Sequence, residues 1–225
     1  MQNESNWQTA AAEDEEGRGC FSDLILPPLA VLCVSGLLAF FALKTDGRAG
    51  TLSINSPPTS TSLSPVFRPE VQHWANSLVR WAITFGLDPN LAAVVMQIES
   101  CGDPSARSNS GAMGLFQVMP FHFYATDNPY NPNTNAARGL AYLARSLSAA
   151  GGDSRLALAG YNGGIGVINR PDWTWSAQTK RYVYYGAPIY EDARQGAQSS
   201  GRLEEWYGRY GVGLCRQAGE RLGLQ

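Results

Sequence analysis

Residues 24–43, LILPPLAVLCVSGLLAFFAL, run for twenty positions without a charged side chain. About 20 apolar residues let an α-helix cross the hydrocarbon of a bilayer, so the run predicts one membrane-spanning helix. Pro27 and Pro28 fall in its first turn, where backbone N–H groups lack helical acceptors in any case. A cleaved signal peptide is the rival reading. The acidic segment ahead of the run, the length of the run and the lack of a small-x-small site after it argue against that reading. A lipid-anchoring role for Cys33 fits poorly, because the bulky Leu32 precedes it.

The apolar pattern changes character from Pro69 onward. Val71, Trp74, Leu78, Trp81 and Phe85 recur at three- and four-residue steps, which predicts an amphipathic helix closed by Gly86. Asp88 followed by Pro89 is a helix start, a capping side chain ahead of a proline in the first turn. That helix extends to about Cys101, with Gly102 placed to end it. The helical period returns between residues 133 and 149 through Ala137, Leu140, Leu143, Ala144 and Leu147. Asp153 or Ser154 caps a further helix that breaks at Gly163 and Gly164, and residues 178–185 and 203–222 supply two more. No strand-like alternation of any length competes, so the domain over residues 69–225 is mainly α. Two polar stretches flank the apolar run. Residues 1–23, with Glu13, Asp14, Glu15 and Glu16, have the composition of a disordered tail. Residues 44–68, rich in Ser, Thr and Pro, predict a flexible stalk.

A formal net charge of -2, with no basic run interleaved with aromatics, gives no case for nucleic acid. His73, His122 and four cysteines without a Cys-x-x-Cys spacing make a zinc site a poor expectation, and no cofactor is called for. Cys101 and Cys215 are the two cysteines of the candidate domain. In an oxidising compartment a disulfide between them would tie the last helix to the helix end near Glu99; two separate buried thiols are the other reading. The six Trp and ten Tyr suit a carbohydrate-binding groove and a packed core alike.

Glu99 is the first candidate for chemistry. At about 100° per residue it falls beside Val95 and Ala92, on a helix otherwise built from Leu91, Val94, Met96 and Ile98. Burial and the negative end of the helix dipole both favour the protonated carboxyl, which is what a general acid needs near neutral pH. The bland alternative is a solvent-facing Glu or an ion pair with Arg107. The small-residue loop over residues 108–114 lets a ligand approach its backbone, and Gln117 offers a donor and an acceptor; an ordinary tight connection explains the loop as well. Tyr161 and Asn162 stand at a helix end, suited to sugar hydroxyls and to helix capping alike. Tyr182, by pattern alone, reads as core.

Taken together, Glu99-Ser100, then GAMGLFQVMP at 111–120, AGYNGG at 159–164 and QTKRYV at 178–183 resemble the lytic transglycosylase family with the goose-type lysozyme-like (SLT) catalytic domain. The resemblance covers roughly residues 70–190. It implies a lysozyme-like fold acting on peptidoglycan glycan strands, with non-hydrolytic cleavage of the MurNAc-β-1,4-GlcNAc bond and 1,6-anhydromuramoyl ends. By match to the motifs, Glu99 would be the single catalytic acid/base. Ser108 and Gln117 would line the cleft, Met113 would touch the sugar, Tyr161 and Asn162 would hydrogen-bond substrate near the acid, and Tyr182 would approach the catalytic carboxyl. Gln178 stands where the family usually has Glu, Phe116 replaces Met, and Gly160, Gly163 and Ile165 replace Ala, Ala and Pro. None of these touches Glu99, and Gln178 removes a supporting ion pair at most.

Two rivals stay open. One is a goose-type lysozyme-like hydrolase, in which Asp103 or Asp127 orients a water. The other is a non-catalytic peptidoglycan-binding module. Lys44 and Arg48 after the apolar run weakly favour a cytoplasmic C-terminus. The resemblance implies the reverse: a single-pass protein of the cytoplasmic membrane with its catalytic domain outside.

Overall fold

The computed structural model describes residues 62–224. The expected tail, membrane span and most of the stalk lie outside those residues. Among the described residues no single helix is long and apolar enough to cross a membrane.

The folded body includes residues before Pro69, which corrects the C-terminal end of the expected stalk. Val66 and Phe67 are buried in the core. The Ser64 amide donates to Asn90 Oδ1 at 2.8 Å, and Gln72 Nε2 donates to the Ser64 carbonyl at 2.7 Å. Two apolar side chains close to Pro69 and a paired backbone are enough to dock these residues on the folded body.

The first expected helix is two. α1 (Pro69–Gln72) and α2 (Ala75–Thr84) are separated by a bend at His73 and Trp74. Trp74 is held at the bend: its indole N–H donates to the Gly102 carbonyl at 2.9 Å, and its ring stacks on Trp81 with centroids 5.9 Å apart. Apolar spacing is the same on both sides of the bend, so periodicity reads through it.

α3 (Pro89–Glu99) begins as expected, with Asp88 accepting from the Asn90 amide and Pro89 in the first turn. Every residue from Pro89 to Gln97 is buried, so this helix is the centre of the core. α4 (Pro132–Ala149), α5 (Ser154–Gly163) and α6 (Ala177–Arg194) form a layer around it, α5 lying between α4 and α6, and α6 against α3. Each starts on its own capping side chain: Asn131, Asp153 and Ser176.

α6 is far longer than the expected 178–185 because it runs through Pro188. An interior proline costs a helix about 3 kcal/mol. Burial of Ile189, Tyr190 and Ala193 beyond it, and a Tyr190 hydroxyl bond to Asp88 Oδ2 at 3.1 Å, offset that cost. The C-terminal helix, by contrast, is interrupted. α7 (Gly201–Trp206) passes through a π-helical turn (Tyr207–Gly211) into α8 (Val212–Leu222). The turn contains Gly208 and Gly211, poor helix formers, and Arg68 lies over the Tyr207 ring at 3.9 Å.

α8 returns to the end of α3. Cys101 and Cys215 are joined in a disulfide with Cα atoms 5.0 Å apart. Beside it the fully buried Asp103 accepts from Arg221 Nη1 at 2.5 Å, Gln217 Nε2 at 2.9 Å and the Ser105 amide at 2.9 Å. Asp103 is therefore a buried side chain committed to three donors, not one placed to orient a water.

Candidate active site

Glu99 is the last residue of α3, and its carboxyl sits where the buried helix meets α5 and α6. The residue keeps a partly exposed face, but its carboxyl lies deep among protein atoms. That burial raises its pKa from 4.5 to about 8, and the Tyr182 hydroxyl opposes the rise only in part. Arg107 does not pair with it: among the described residues burial and Tyr182 are what set its acidity.

Two tyrosines close on this carboxyl from later helices. Tyr182, on the inner face of α6, is buried, and its hydroxyl has no well-formed partner. Its interaction with Glu99 is therefore a long or bent contact, of the kind that tightens when a ligand enters. Tyr161, near the end of α5, donates its hydroxyl to the Phe116 carbonyl at 2.7 Å. Burial first, and the Glu99 charge second, hold both phenols well above their usual pKa, so both stay protonated donors.

The loop between α3 and α4 is built to present this wall. Met113 and Val118 exchange both backbone hydrogen bonds at 3.0 Å, closing a tight hairpin over residues 113–118. Gly114 at its first turn has φ +73, and a Cβ there would stand 2.4 Å from Asn135 Nδ2. Gln117 takes φ +45, a strained value for a non-glycine residue. Its side chain holds the backbone there by donating to the Gly114 and Ala106 carbonyls at 3.0 and 3.2 Å. Ser108 closes the preceding loop, its Oγ accepting from the Ala112 amide at 2.9 Å and lying 3.1 Å from Ser110 Oγ.

The structure thus brings Glu99, Tyr161 and Tyr182 together. Ser108, Met113 and Gln117 lie on the adjoining loop and hairpin. Asn162 follows Tyr161, its Oδ1 accepting from Thr179 Oγ1 at 3.1 Å, which orients its amide group. Gln178 is exposed at the start of α6.

Asn135 escaped the sequence reading, and Ser100, quoted there only as part of the Glu99-Ser100 motif, was given no role. Asn135, fully buried on α4, donates Nδ2 to the Met113 and Pro129 carbonyls at 2.7 and 2.9 Å and accepts from the Phe116 amide at 2.8 Å. Ser100 donates to the Leu115 carbonyl at 2.7 Å, pinning the hairpin to the residue after the acid. A signal did exist for Asn135: it lies in register with Gly139 and Leu143 on the buried stripe of α4, where a polar residue must find partners.

Asp127, the other acid of the rival hydrolase, makes a two-pronged pair with Arg138 at 2.7 and 3.0 Å, which holds its carboxyl below the usual range. Glu70, Cys101 and Cys215 cluster, but both sulfurs are in the disulfide and offer no thiolate to a metal. Two open concavities, about 450 Å³ beside α2 and about 540 Å³ behind α6, do not include Glu99. Chemistry, and not cavity size, marks this site.

Residues 77–183 match the family model described as Transglycosylase SLT domain. The chain is 38% identical over 111 residues to the transglycosylase of Enterobacteria phage PRD1, covering 48% of this chain and 40% of that protein. It is 31% identical over 98 residues to the endo-type membrane-bound lytic murein transglycosylase A of Klebsiella pneumoniae, covering 36% of this chain and 48% of that protein. The match therefore spans less than half the length of either relative. An inactive mutant of the lytic transglycosylase Slt from Pseudomonas aeruginosa superposes with a TM-score of 0.40 at 25% identity, over 65% of this chain and 24% of that one.

Proposed function

We infer that the SLT domain of this chain is a peptidoglycan lytic transglycosylase in which Glu99 alone serves as acid and base. One observation carries the reading: a carboxyl raised to about 8 by burial beside two protonated phenols, with Asp103 and Asp127 both committed to other partners. Protonated Glu99 gives its proton to the departing glycosidic oxygen as the bond to C1 breaks. The resulting carboxylate then takes the proton of the C6 hydroxyl while that oxygen closes onto C1. The proton returns to Glu99 and no water is consumed. The acetamido group of the sugar steadies the cationic centre, so the second carboxylate of ordinary glycosidases is not required.

Ser108, Met113 and Gln117 line one wall of the groove, and Asn162 and Tyr161 hydrogen-bond the sugar beside the acid. Tyr182 donates to the Glu99 carboxylate once it forms. The hydrolase alternative is weaker, because Asp103 is locked by Arg221 and Gln217, and Asp127 by Arg138. Mass spectrometry of muropeptides released from purified wall decides between them: anhydro ends are expected, and products heavier by one water would refute the reading.

The apolar run at 24–43 serves as a single membrane anchor that holds the domain on the wall side. Protease added to intact, wall-stripped cells should then remove the domain. Full protection would overturn this topology.

A further inference from the structure

Packing fixes α3 from Pro89 to Gln97 but not its last turn, where Ile98 and Glu99 are only partly buried. The final carbonyls of a helix lack intrahelical donors, so such a turn frays unless something closes it. Here the Ser100 amide donates to the Met96 carbonyl at 3.0 Å, and the Cys101 amide to the Gln97 carbonyl at 3.2 Å. The chain then reverses through two residues of positive φ, Cys101 at 52° and Gly102 at 85°. Only the second is a glycine. An L side chain is crowded in that region, so Cys101, two residues after the acid, needs an outside constraint to stay there.

Its own side chain supplies the constraint. The Cys101 sulfur is bonded to Cys215 of α8 and accepts from Gln97 Nε2 at 3.1 Å, and both cysteines are buried. The reversal also sets Ser100. The Gly102 amide donates to Ser100 Oγ at 3.1 Å, and that hydroxyl donates in turn to the Leu115 carbonyl. A Cβ on Gly102 would stand 2.7 Å from the Glu70 carbonyl oxygen, so the turn has little freedom where it passes α1. Glu99 lies between a helix held by packing and a turn held by the disulfide.

We propose that the Cys101–Cys215 disulfide positions Glu99: by keeping Cys101 in the positive-φ turn, it closes the last turn of α3 and aims the acid at the groove. Without the bond the domain stays folded, because Arg221 and Gln217 still hold Asp103 and packing still holds α3. The acid is then present but misplaced. The proposal rests on the lytic reading above and adds a condition on where the domain works. Two thiols exchanging with an external disulfide give the Cys101–Cys215 bond and two external thiols. That exchange is favoured in an oxidising compartment and opposed in a reducing cytosol, so the site is completed only in the former.

Full-length variants test this at a temperature where circular dichroism shows them folded, with soluble peptidoglycan oligosaccharides as substrate. Cys215→Ala, which removes the bond and keeps Cys101, should lower kcat about tenfold and change KM less than about twofold. Its activity should also decline at lower pH than that of wild type, because a frayed last turn lets water reach the carboxyl. Cys101→Gly/Cys215→Ala lacks the bond too, but glycine takes a positive φ without strain. It should recover most of the lost kcat and the wild-type pH profile. Where Cys215→Ala does not fold, Cys215→Ser, which keeps an acceptor for Gln97 Nε2, takes its place in both proteins. A bond that serves stability alone leaves kcat at the wild-type value in both folded variants, or lowers it equally in both; either result overturns the proposal. Glu99→Gln is measured alongside. Wild-type activity in that variant removes the lytic reading, and the positioning role with it. If Glu99→Gln is inactive while Cys215→Ala keeps full kcat, the positioning role alone is refuted.

Discussion

Glu99 is costly to the protein that carries it. Its pKa rises from 4.5 in an unstructured chain to about 8 in the fold, so the native state binds the proton more tightly. The stability contributed by that proton is complete below about 4.5 and is lost as the pH climbs through about 8. At pH 7 the loss is about 3 kcal/mol, reckoned from the shift. Glu99→Gln, which has no such charge to form, should therefore unfold at a higher temperature than wild type at pH 8, with the two converging near pH 4. Scanning calorimetry reads this directly, and equal curves at both pH values would show that burial is not what holds the proton. Activity should follow the acid form and decline above about pH 8. The Tyr182 hydroxyl lowers the Glu99 pKa, so Tyr182→Phe should move this alkaline limb to higher pH. A limb moving down instead would place the tyrosine's influence elsewhere.

At the level of elements, the hairpin over residues 113–118 is positioned from behind by α4. Asn135→Ala removes three hydrogen bonds and leaves the Phe116 amide buried without an acceptor, at about 1–3 kcal/mol for such a group. Denaturant unfolding should show a loss of about that size or somewhat more. Gly139→Ala is the sharper probe, because its Cβ would stand 2.5 Å from Phe116 Cβ and 3.2 Å from the Tyr161 hydroxyl. Wall-lytic activity should fall about tenfold or more at temperatures where the variant remains folded; unchanged activity would separate Tyr161 from catalysis. How much of this was legible in the sequence depended on the range of the forces involved. The Asp88-Pro89 start of α3 and the start of α5, expected at Asp153 or Ser154 and found capped by Asp153, are local chemistry between near neighbours, which a sequence carries. The bend at Trp74 and the passage of α6 through Pro188 are decided by distant partners, Gly102 and Asp88 respectively, which apolar spacing does not encode. Tyr182 shows the same limit. Its pattern says core and it is indeed buried, but what it is buried against is Glu99, and only the motif resemblance pointed there.

The whole domain is closed by contacts between the end of α3 and α8. The disulfide between Cys101 and Cys215 spans 114 residues of chain. A native disulfide of this kind contributes about 2–4 kcal/mol, mainly by restricting the unfolded chain. Reduction should lower the midpoint of denaturant unfolding accordingly, while Arg221 and Gln217 on Asp103 keep α8 near its place. A midpoint indifferent to dithiothreitol would mean that these polar contacts alone secure the helix. The same linkage imposes an order in time. Synthesis runs from N- to C-terminus, so the segment bearing Glu99 is finished long before Cys215 emerges. The helix that bears Glu99 is therefore among the early parts to be made and among the last to be tied down. A chain halted between Tyr182 and Cys215 would carry Glu99, Tyr161 and Tyr182 and still lack its latch.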